Sequence, residues 1–281
     1  MCLSVNGLMK SKTNRFGSSL EGLLHSLYCF SSGDEFEAGG MRFRVSDSAK
    51  HENKKRISTE QKNSMSQRNL IEGNPVLVVV DIQNGDPPQA GVTPIPHMQS
   101  DGSWVTNATK LIQGARDANV PVVFIQEAHR RDLIDFGREL DGAEGVHLLE
   151  GDHGTEIRSE IGMTEDDYFI QKRRYSCFFG TDFELLMKGL HANTLIFIGG
   201  LTDVCVHYSF VGGHQNDYFC RGFGDSVTGS SLDAHKASLN AMEYLQTGAR
   251  RNTAEVLQTF QQRAEDLGVA ESLGEPQSVL R

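Results

Sequence analysis

The 281-residue sequence predicts an α/β protein: a three-layer, doubly wound, mostly parallel sheet with helices on both faces. Two apolar runs, VLVVVD at 76–81 and TLIFIGG at 194–200, are continuous rather than alternating, as expected of strands buried on both sides. Segments with helical periodicity separate the strand-like runs, and that alternation is what a parallel sheet with crossover helices requires. No stretch approaches the ~18–20 consecutive apolar residues of a membrane span, so a membrane is not an expected partner.

The elements follow in order. After VLVVVD comes an amphipathic helix over about 103–119, with Val105, Leu111, Ile112 and Ala115 on or near one face. PVVFIQ (121–126) reads as the second buried strand and DYFIQK (167–172) as the third. Thr181 and Glu184 have capping-box spacing ahead of a helix carrying Phe183, Leu185, Leu186 and Leu190. TLIFIGG is the fourth strand and DYFCRGF (217–223) the fifth, with a helix starting near Asp203 between them and a long helix over about 231–247 after them. Asp225 reads as ending the fifth strand.

Three domains are expected: a largely disordered N-terminal extension over 1–72, a main α/β domain over 73–267, and a tail over 268–281. The first 72 residues carry a charge of about +3 and the remainder about −13, so the two parts differ in kind. The run at 46–69 has almost nothing to bury and reads as a disordered linker. Residues 1–30 are acid-poor and contain Lys10, Lys12, Arg15 and several serines, a composition compatible with an organelle transit peptide; otherwise a cytoplasmic protein is expected. The acidic body lacks a Lys/Arg stripe with interleaved aromatics, so nucleic acid is not an expected partner. Five cysteines (Cys2, Cys29, Cys177, Cys205 and Cys220) have neither paired nor zinc-type spacing, which fits a reducing compartment. GFGDSVTG at 222–229 lacks dinucleotide-fingerprint spacing, and no cofactor is expected.

In open α/β sheets the ligand site lies beyond the carboxyl ends of the strands. Asp81, Lys172 and Cys205 sit at or just after such ends. Taken one at a time, each has an ordinary explanation: a turn-capping acid, a solvated cation beside Arg173 and Arg174, and a small buried thiol. As a set they describe chemistry. A thiol in the first turn of a helix meets backbone N–H groups and the positive dipole end, which favour thiolate, and a nearby ammonium favours it further. A carboxylate within reach can accept the thiol proton and return it to a departing amine.

On these residues the chain resembles the isochorismatase-like cysteine hydrolases, the family of nicotinamidases and of carbamoylsarcosine, ureidoacrylate and biuret amidohydrolases. The resemblance covers about 76–249 and is carried by VVVDIQNG (Asp81), KRRYSCFFGTD (Lys172) and GGLTDVCV (Cys205). It implies hydrolysis of a small amide, ureido or carbamoyl substrate with release of ammonia through a Cys205 acyl-enzyme. Asp81 would be the acid and base, and Lys172 would hold the ion pair. A cis peptide bond is implied at Gly200–Leu201, and an oxyanion hole from the Leu201 and Cys205 amides. A homodimer or homotetramer is implied as well.

The nicotinamidases of this family share a D-x-H-x5-H metal motif after the second strand, where this chain has Glu127, His129 and Asp135. A metal-free pocket is expected, with Glu127 and His129 contacting substrate or lying just behind it. Gln83, Phe178 and Tyr208 are further candidate substrate contacts, with Phe179 beside Phe178 and His207 beside Tyr208. The long charged segment 129–157 offers Arg130, Arg138, Glu139 and His147 as candidate substrate contacts, although for any one of them a solvated surface residue is the better reading. Cys177 and Cys220 read as buried thiols. Two other functions fit the fold. A vinyl-ether hydrolase of the isochorismatase type would do without the cysteine, and a non-catalytic binding or scaffold protein would not need the triad.

Overall fold

The computed structural model describes residues 35–38, 41–44, 69–86, 94–142 and 144–268. The transit-like composition of 1–30, nearly all of the linker over 46–69, and the tail beyond 268 lie outside the described residues. The chain divides into two units, at residues 1–64 and 65–281. In the first, β1 (Glu35–Ala38) and β2 (Met41–Arg44) pair antiparallel, Glu35 opposite Arg44 and Ala38 opposite Met41.

The second unit is built on six parallel strands: β3 (Pro75–Val80), β4 (Val122–Glu127), β5 (Tyr168–Lys172), β6 (Thr194–Gly200), β7 (Phe219–Thr228) and β8 (Arg250–Arg251). Their spatial order is β5-β4-β3-β6-β7-β8 and every pairing is parallel. The chain therefore starts in the middle, winds outward to β5, returns across β3 and winds outward the other way. The reversal leaves a crevice between the carboxyl ends of β3 and β6.

The apolar residues of β3 divide by parity, since successive side chains point to opposite faces. Leu77 and Val79 join one core with Phe124, Ile196 and Ile198, covered by α1 (Ser103–Asp117) and α5 (Thr253–Asp266) through Leu111, Ile112, Val256 and Phe260. Val76, Val78 and Val80 join the other with Val123, Ile125 and Ile170. That face is covered by α2 (Phe183–Gly189), α3 (Cys205–Gln215) and α4 (Leu232–Leu245) through Phe183, Val206, Phe210 and Met242. Wholly buried strands read as unbroken apolar runs because both of their faces are covered.

Several elements differ from the sequence reading. β7 runs to Thr228, beyond both the expected run to 223 and Asp225, through an irregularity opposite Phe197–Gly199. Asp225 therefore lies within β7, and its carboxylate accepts from Thr253 N and Oγ1 at 3.0 Å to tie down the start of α5. β8 and α5 were not anticipated. The Thr181/Glu184 capping box does not form, because Thr181 Oγ1 donates instead to the Cys177 carbonyl and accepts from Phe183 N, leaving Asp182 at the cap position. Cys177 and Cys220 are fully buried, as read.

Gly199 explains one sequence constraint. With φ of 112°, a β-carbon there would lie 1.9 Å from the Val80 carbonyl oxygen, so only glycine lets β6 run this close to β3 beside the crevice.

Candidate active site

Four strand ends converge on the crevice. Asp81 follows β3 directly, Glu127 ends β4, Lys172 ends β5, and Cys205 opens α3 just beyond β6. Parity explains the convergence. Glu127 continues the series Val123, Ile125, and Lys172 follows Ile170 by two residues, so both side chains enter the layer that also holds Cys205. Glu127 and Lys172 are also register partners on adjacent strands.

Lys172 is wholly buried, not solvated. Its Nζ lies 2.8 Å from Asp81 Oδ2 and 3.4 Å from Cys205 Sγ, and it donates to Glu127 Oε2. Cys205 Sγ donates to the same Glu127 oxygen at 3.3 Å. Arg173 and Arg174 turn away, donating to the carbonyls of Ala128 and Asp135.

The charges follow from this packing. Burial pushes the Asp81 carboxyl up to about 6; Lys172 opposes the rise and Glu127 adds to it. Burial would raise Glu127 too, but Lys172 and hydrogen bonds from His129 and His147 hold it well below the usual carboxylate range. Burial opposes the charge on Lys172, and Asp81, Cys205 and Glu127 overcome that, keeping it an ammonium.

The thiolate expected from the helix terminus is not the resting state. Burial raises the Cys205 thiol well above its ordinary value; Lys172 lowers it, but Glu127 and Asp81 raise it again. Two carboxylates beside one ammonium leave the sulfur protonated until a base takes its proton.

Asp81, Glu127, Gly200, Leu201 and Cys205 line a cavity of about 290 Å³. Trp104, Glu144, His147, Arg158 and Tyr175 are among its walls. The Gly200–Leu201 peptide bond is cis. Among the described residues, the amides of Leu201 and Cys205 donate to no other group, and α3 has no side-chain cap.

The expected substrate contacts separate. Gln83 lines the cavity, but its Nε2 donates to the carbonyls of Glu127 (2.8 Å) and Thr155 (2.7 Å) and its Oε1 accepts from Glu127 N (3.1 Å), so it braces the end of β4. Glu127 is closer to the sulfur than a peripheral contact would be. His129 does not line the cavity: it is fully buried behind Glu127, stacked on Phe136 with ring centroids 3.8 Å apart. Phe178 is also absent from the walls. It packs edge-on against Phe183 and beside Gly212, where the missing side chain leaves room. Tyr208 is half exposed and, with Phe179, lines a separate open groove, because its turn of α3 faces away from the crevice. His207 Nδ1 lies 2.6 Å from Ser238 Oγ.

Of the four candidates in 129–157, Arg130 and Arg138 face solvent, Glu139 is buried against His129, and His147 lines the cavity. Sequence reasoning missed Glu144, Tyr175 and Arg158. The segment returns to the strand ends through backbone bonds of His129 with Leu148 and Glu150, and Asp86 Oδ2 accepts from Leu148 N at 2.6 Å, which sets His147 in place.

Glu127 Oε1 faces a second group. His129 Nε2 lies 3.3 Å from it and His147 Nε2 3.2 Å, while Glu139 Oε2 is 3.2 Å from His129 Nε2. Asp135, at the third position of the nicotinamidase metal motif, does not join this group; its oxygens accept from Arg130 N. Glu127, His129, Glu139 and His147 could together hold a divalent cation: all four are buried and their ligand atoms lie within 4.8 Å of one another. The same groups also balance without an ion. Burial opposes charge on His129, but Glu127 and Glu139 raise it to about 9, and His147 is raised as well, mainly by Glu127 against its burial.

Together the fold and the site define a doubly wound α/β protein with a buried thiol, carboxylates and an ammonium at the switch point of its sheet. Residues 75–259 match the Isochorismatase domain, and the chain belongs to that family. It is 27% identical over 190 residues to a ureidoacrylate amidohydrolase of Pseudomonas savastanoi pv. phaseolicola, covering 61% of this chain and 78% of that protein. Among solved structures it resembles a cysteine hydrolase from Pseudomonas syringae pv. phaseolicola, with a TM-score of 0.58, 24% identity, and coverage of 70% of this chain and 99% of that one. It also resembles an N-carbamoylsarcosine amidase from Thermoplasma acidophilum, with a TM-score of 0.52, 24% identity, and coverage of 64% and 97%. No helix among the described residues is long and apolar enough to cross a membrane.

Proposed function

We propose that this protein is a cysteine-dependent amidohydrolase that cleaves the terminal C–N bond of a small ureido, carbamoyl or amide compound and releases ammonia. The observation carrying this reading is the 3.4 Å approach of Cys205 Sγ to a buried ammonium that also pairs with Asp81 at 2.8 Å, with Cys205 and Asp81 both lining a small cavity. The similarity to a ureidoacrylate amidohydrolase supports a ureido substrate, and the cavity volume suits a molecule of that size.

The reaction starts from the neutral thiol. Asp81, ionised above about pH 6, takes the thiol proton as Sγ adds to the carbonyl carbon. The oxygen's new charge meets the free amides of Leu201 and Cys205, donors that in such sites are worth ~2.7–4 kcal/mol each. Asp81 then delivers its proton to the nitrogen, the C–N bond breaks and ammonia leaves. Water, deprotonated by the Asp81 carboxylate, attacks the thioester or thiocarbamate and restores the thiol. Lys172 keeps Asp81 from remaining protonated and keeps the two carboxylates from repelling each other. Glu127 holds Lys172 in place and accepts from the resting thiol.

The test is ammonia release over a panel of ureidoacrylate-like amides, carbamoyl amino acids, biuret, maleamate and nicotinamide. Cys205→Ala is expected to abolish turnover of whichever compound the parent protein hydrolyses, with the circular dichroism spectrum unchanged. Full activity in the alanine variant rules the mechanism out.

A further inference from the structure

The turn from Leu201 to Cys205, between β6 and the start of α3, is anchored at Thr202 and Asp203, and Thr202 makes the most bonds. Thr202 is wholly buried, and all three of its polar groups bind elements outside that segment. Its N–H donates to the Thr228 carbonyl at the end of β7 (2.7 Å). Its carbonyl accepts from Ser238 Oγ on α4 (2.9 Å), and its hydroxyl lies 2.9 Å from His235 Nδ1 on the same helix. The next residue, Asp203, accepts from Ser230 N at 2.8 Å and from the Ser230 hydroxyl. The contact is close: a β-carbon on Gly229 would lie 2.8 Å from His235 Cβ and 2.9 Å from Asp203 Oδ1. Neither His235 nor Ser238 lines the cavity, so neither touches substrate.

We propose that His235 is a positioning residue which, through the Thr202 hydroxyl, holds the backbone so that the Leu201 and Cys205 amides point at one spot above the sulfur. The inference rests on the oxyanion hole proposed above. Two donors four residues apart stay aligned to within ~0.5 Å only if the chain between them is held from outside. Thr202 lies directly after the first donor and three residues before the second. Burial, Arg250 and Lys236 lower the imidazole pKa, while Asp203 and the Gly224 backbone oppose that; the resulting neutral ring offers Nδ1 as the acceptor that the Thr202 hydroxyl needs.

This role separates two reactions of the same sulfur. When Sγ adds to an aldehyde, a C–S bond forms, the carbonyl π pair moves to oxygen, and that oxygen takes the thiol proton; the amides stabilise the developing charge. When Sγ displaces iodide from iodoacetamide, the thiol proton passes to solvent and no oxyanion forms. A loosened oxyanion hole therefore weakens the first reaction and spares the second.

The experiment is titration of the full chain with ¹³C-acetaldehyde, reading the hemithioacetal carbon by NMR with Cys205→Ala as blank, alongside the rate of iodoacetamide alkylation. His235→Ala and Thr202→Val are each expected to weaken the hemithioacetal by about tenfold or more, with alkylation rates within about twofold of the parent. The double variant is expected to be no weaker than the weaker single one, since both act on one path. His235→Asn, which puts an amide oxygen near the place of Nδ1, is expected to recover most of the loss. An unchanged hemithioacetal in both single variants overturns the inference, and so does a parallel fall in alkylation or no recovery in His235→Asn. A parent protein that is alkylated yet forms no hemithioacetal overturns both the oxyanion hole and this role. One that forms it but hydrolyses no amide removes only the reaction proposed above.

Discussion

Glu127 belongs to two clusters at once, and the contrast between them is instructive. On the Oε2 side it meets Lys172 and Cys205, beside a cavity. On the Oε1 side it meets His129 and His147, with Glu139 behind them, packed around Phe136. Both clusters are buried arrays of acids and cations. The first contains a nucleophile, faces open space and includes Asp81, whose carboxyl burial raises to about 6. The second contains no nucleophile, and only His147 of its own members reaches the cavity wall. Burial of charge by itself therefore does not single out a candidate site; a thiol with access to empty volume does.

The largest expected effect breaks the comparison at the group that the first cluster cannot lose. Lys172→Ala leaves Asp81 and Glu127 buried without their cation, and removing one partner of such a group costs about 3–5 kcal/mol. Thermal unfolding should fall by roughly 10 °C, and amide hydrolysis should disappear. An unshifted melting temperature would mean that the two carboxylates are solvated or protonated.

Asp81→Asn sharpens the comparison, because here activity and stability should part. General acid–base groups contribute roughly 10²–10⁴-fold, so turnover should fall by that order while iodoacetamide still labels Cys205. Asp81 has a raised pKa in the folded state. Its contribution to stability is therefore present below pH about 4 and is lost as pH rises through about 6. Activity has the opposite slope, since the carboxylate is the active form, and should fall as pH drops through about 6. Melting temperature and kcat/KM measured against pH from 4 to 8 test both slopes. The asparagine variant should lose the stability slope and melt no lower than the parent at pH 7.

Smaller effects belong to the second cluster. His129→Gln removes one buried cation beside two acids and should destabilise by about 1–3 kcal/mol, with turnover reduced by less than tenfold. A loss of turnover as large as that in Cys205→Ala would place the second cluster in the chemistry. Chelator treatment should leave activity unchanged, and metal-dependent recovery of a chelated sample would assign Glu127, His129, Glu139 and His147 to an ion. Tyr208→Ala, on the open groove, should leave KM unchanged.

Much of this arrangement was readable before any coordinates. VLVVV and TLIFI announce buried strands by their unbroken apolar character, and Asp81, Lys172 and Cys205 stand out because each lies at or just after the end of a strand-like segment. Parity could have added Glu127, which continues Val123 and Ile125 as Lys172 continues Ile170. Nothing local marks Glu144, Tyr175 or Arg158, which reach the cavity from loops whose path depends on distant hydrogen bonds. Phe178 was misleading for a related reason: adjacency to the KRRYSC segment said nothing of the space beside Gly212 into which the ring turns.

Composition, apolar run length and the residues at strand ends are properties of short windows, and they determined the fold class, five of the strands and which thiol is the candidate nucleophile. Strand order, the burial of Lys172, the protonated resting sulfur and the sharing of Glu127 between two clusters were decided only in three dimensions. Each depends on which distant groups come within a few ångströms, and Coulomb and desolvation energies follow those distances rather than separation along the chain.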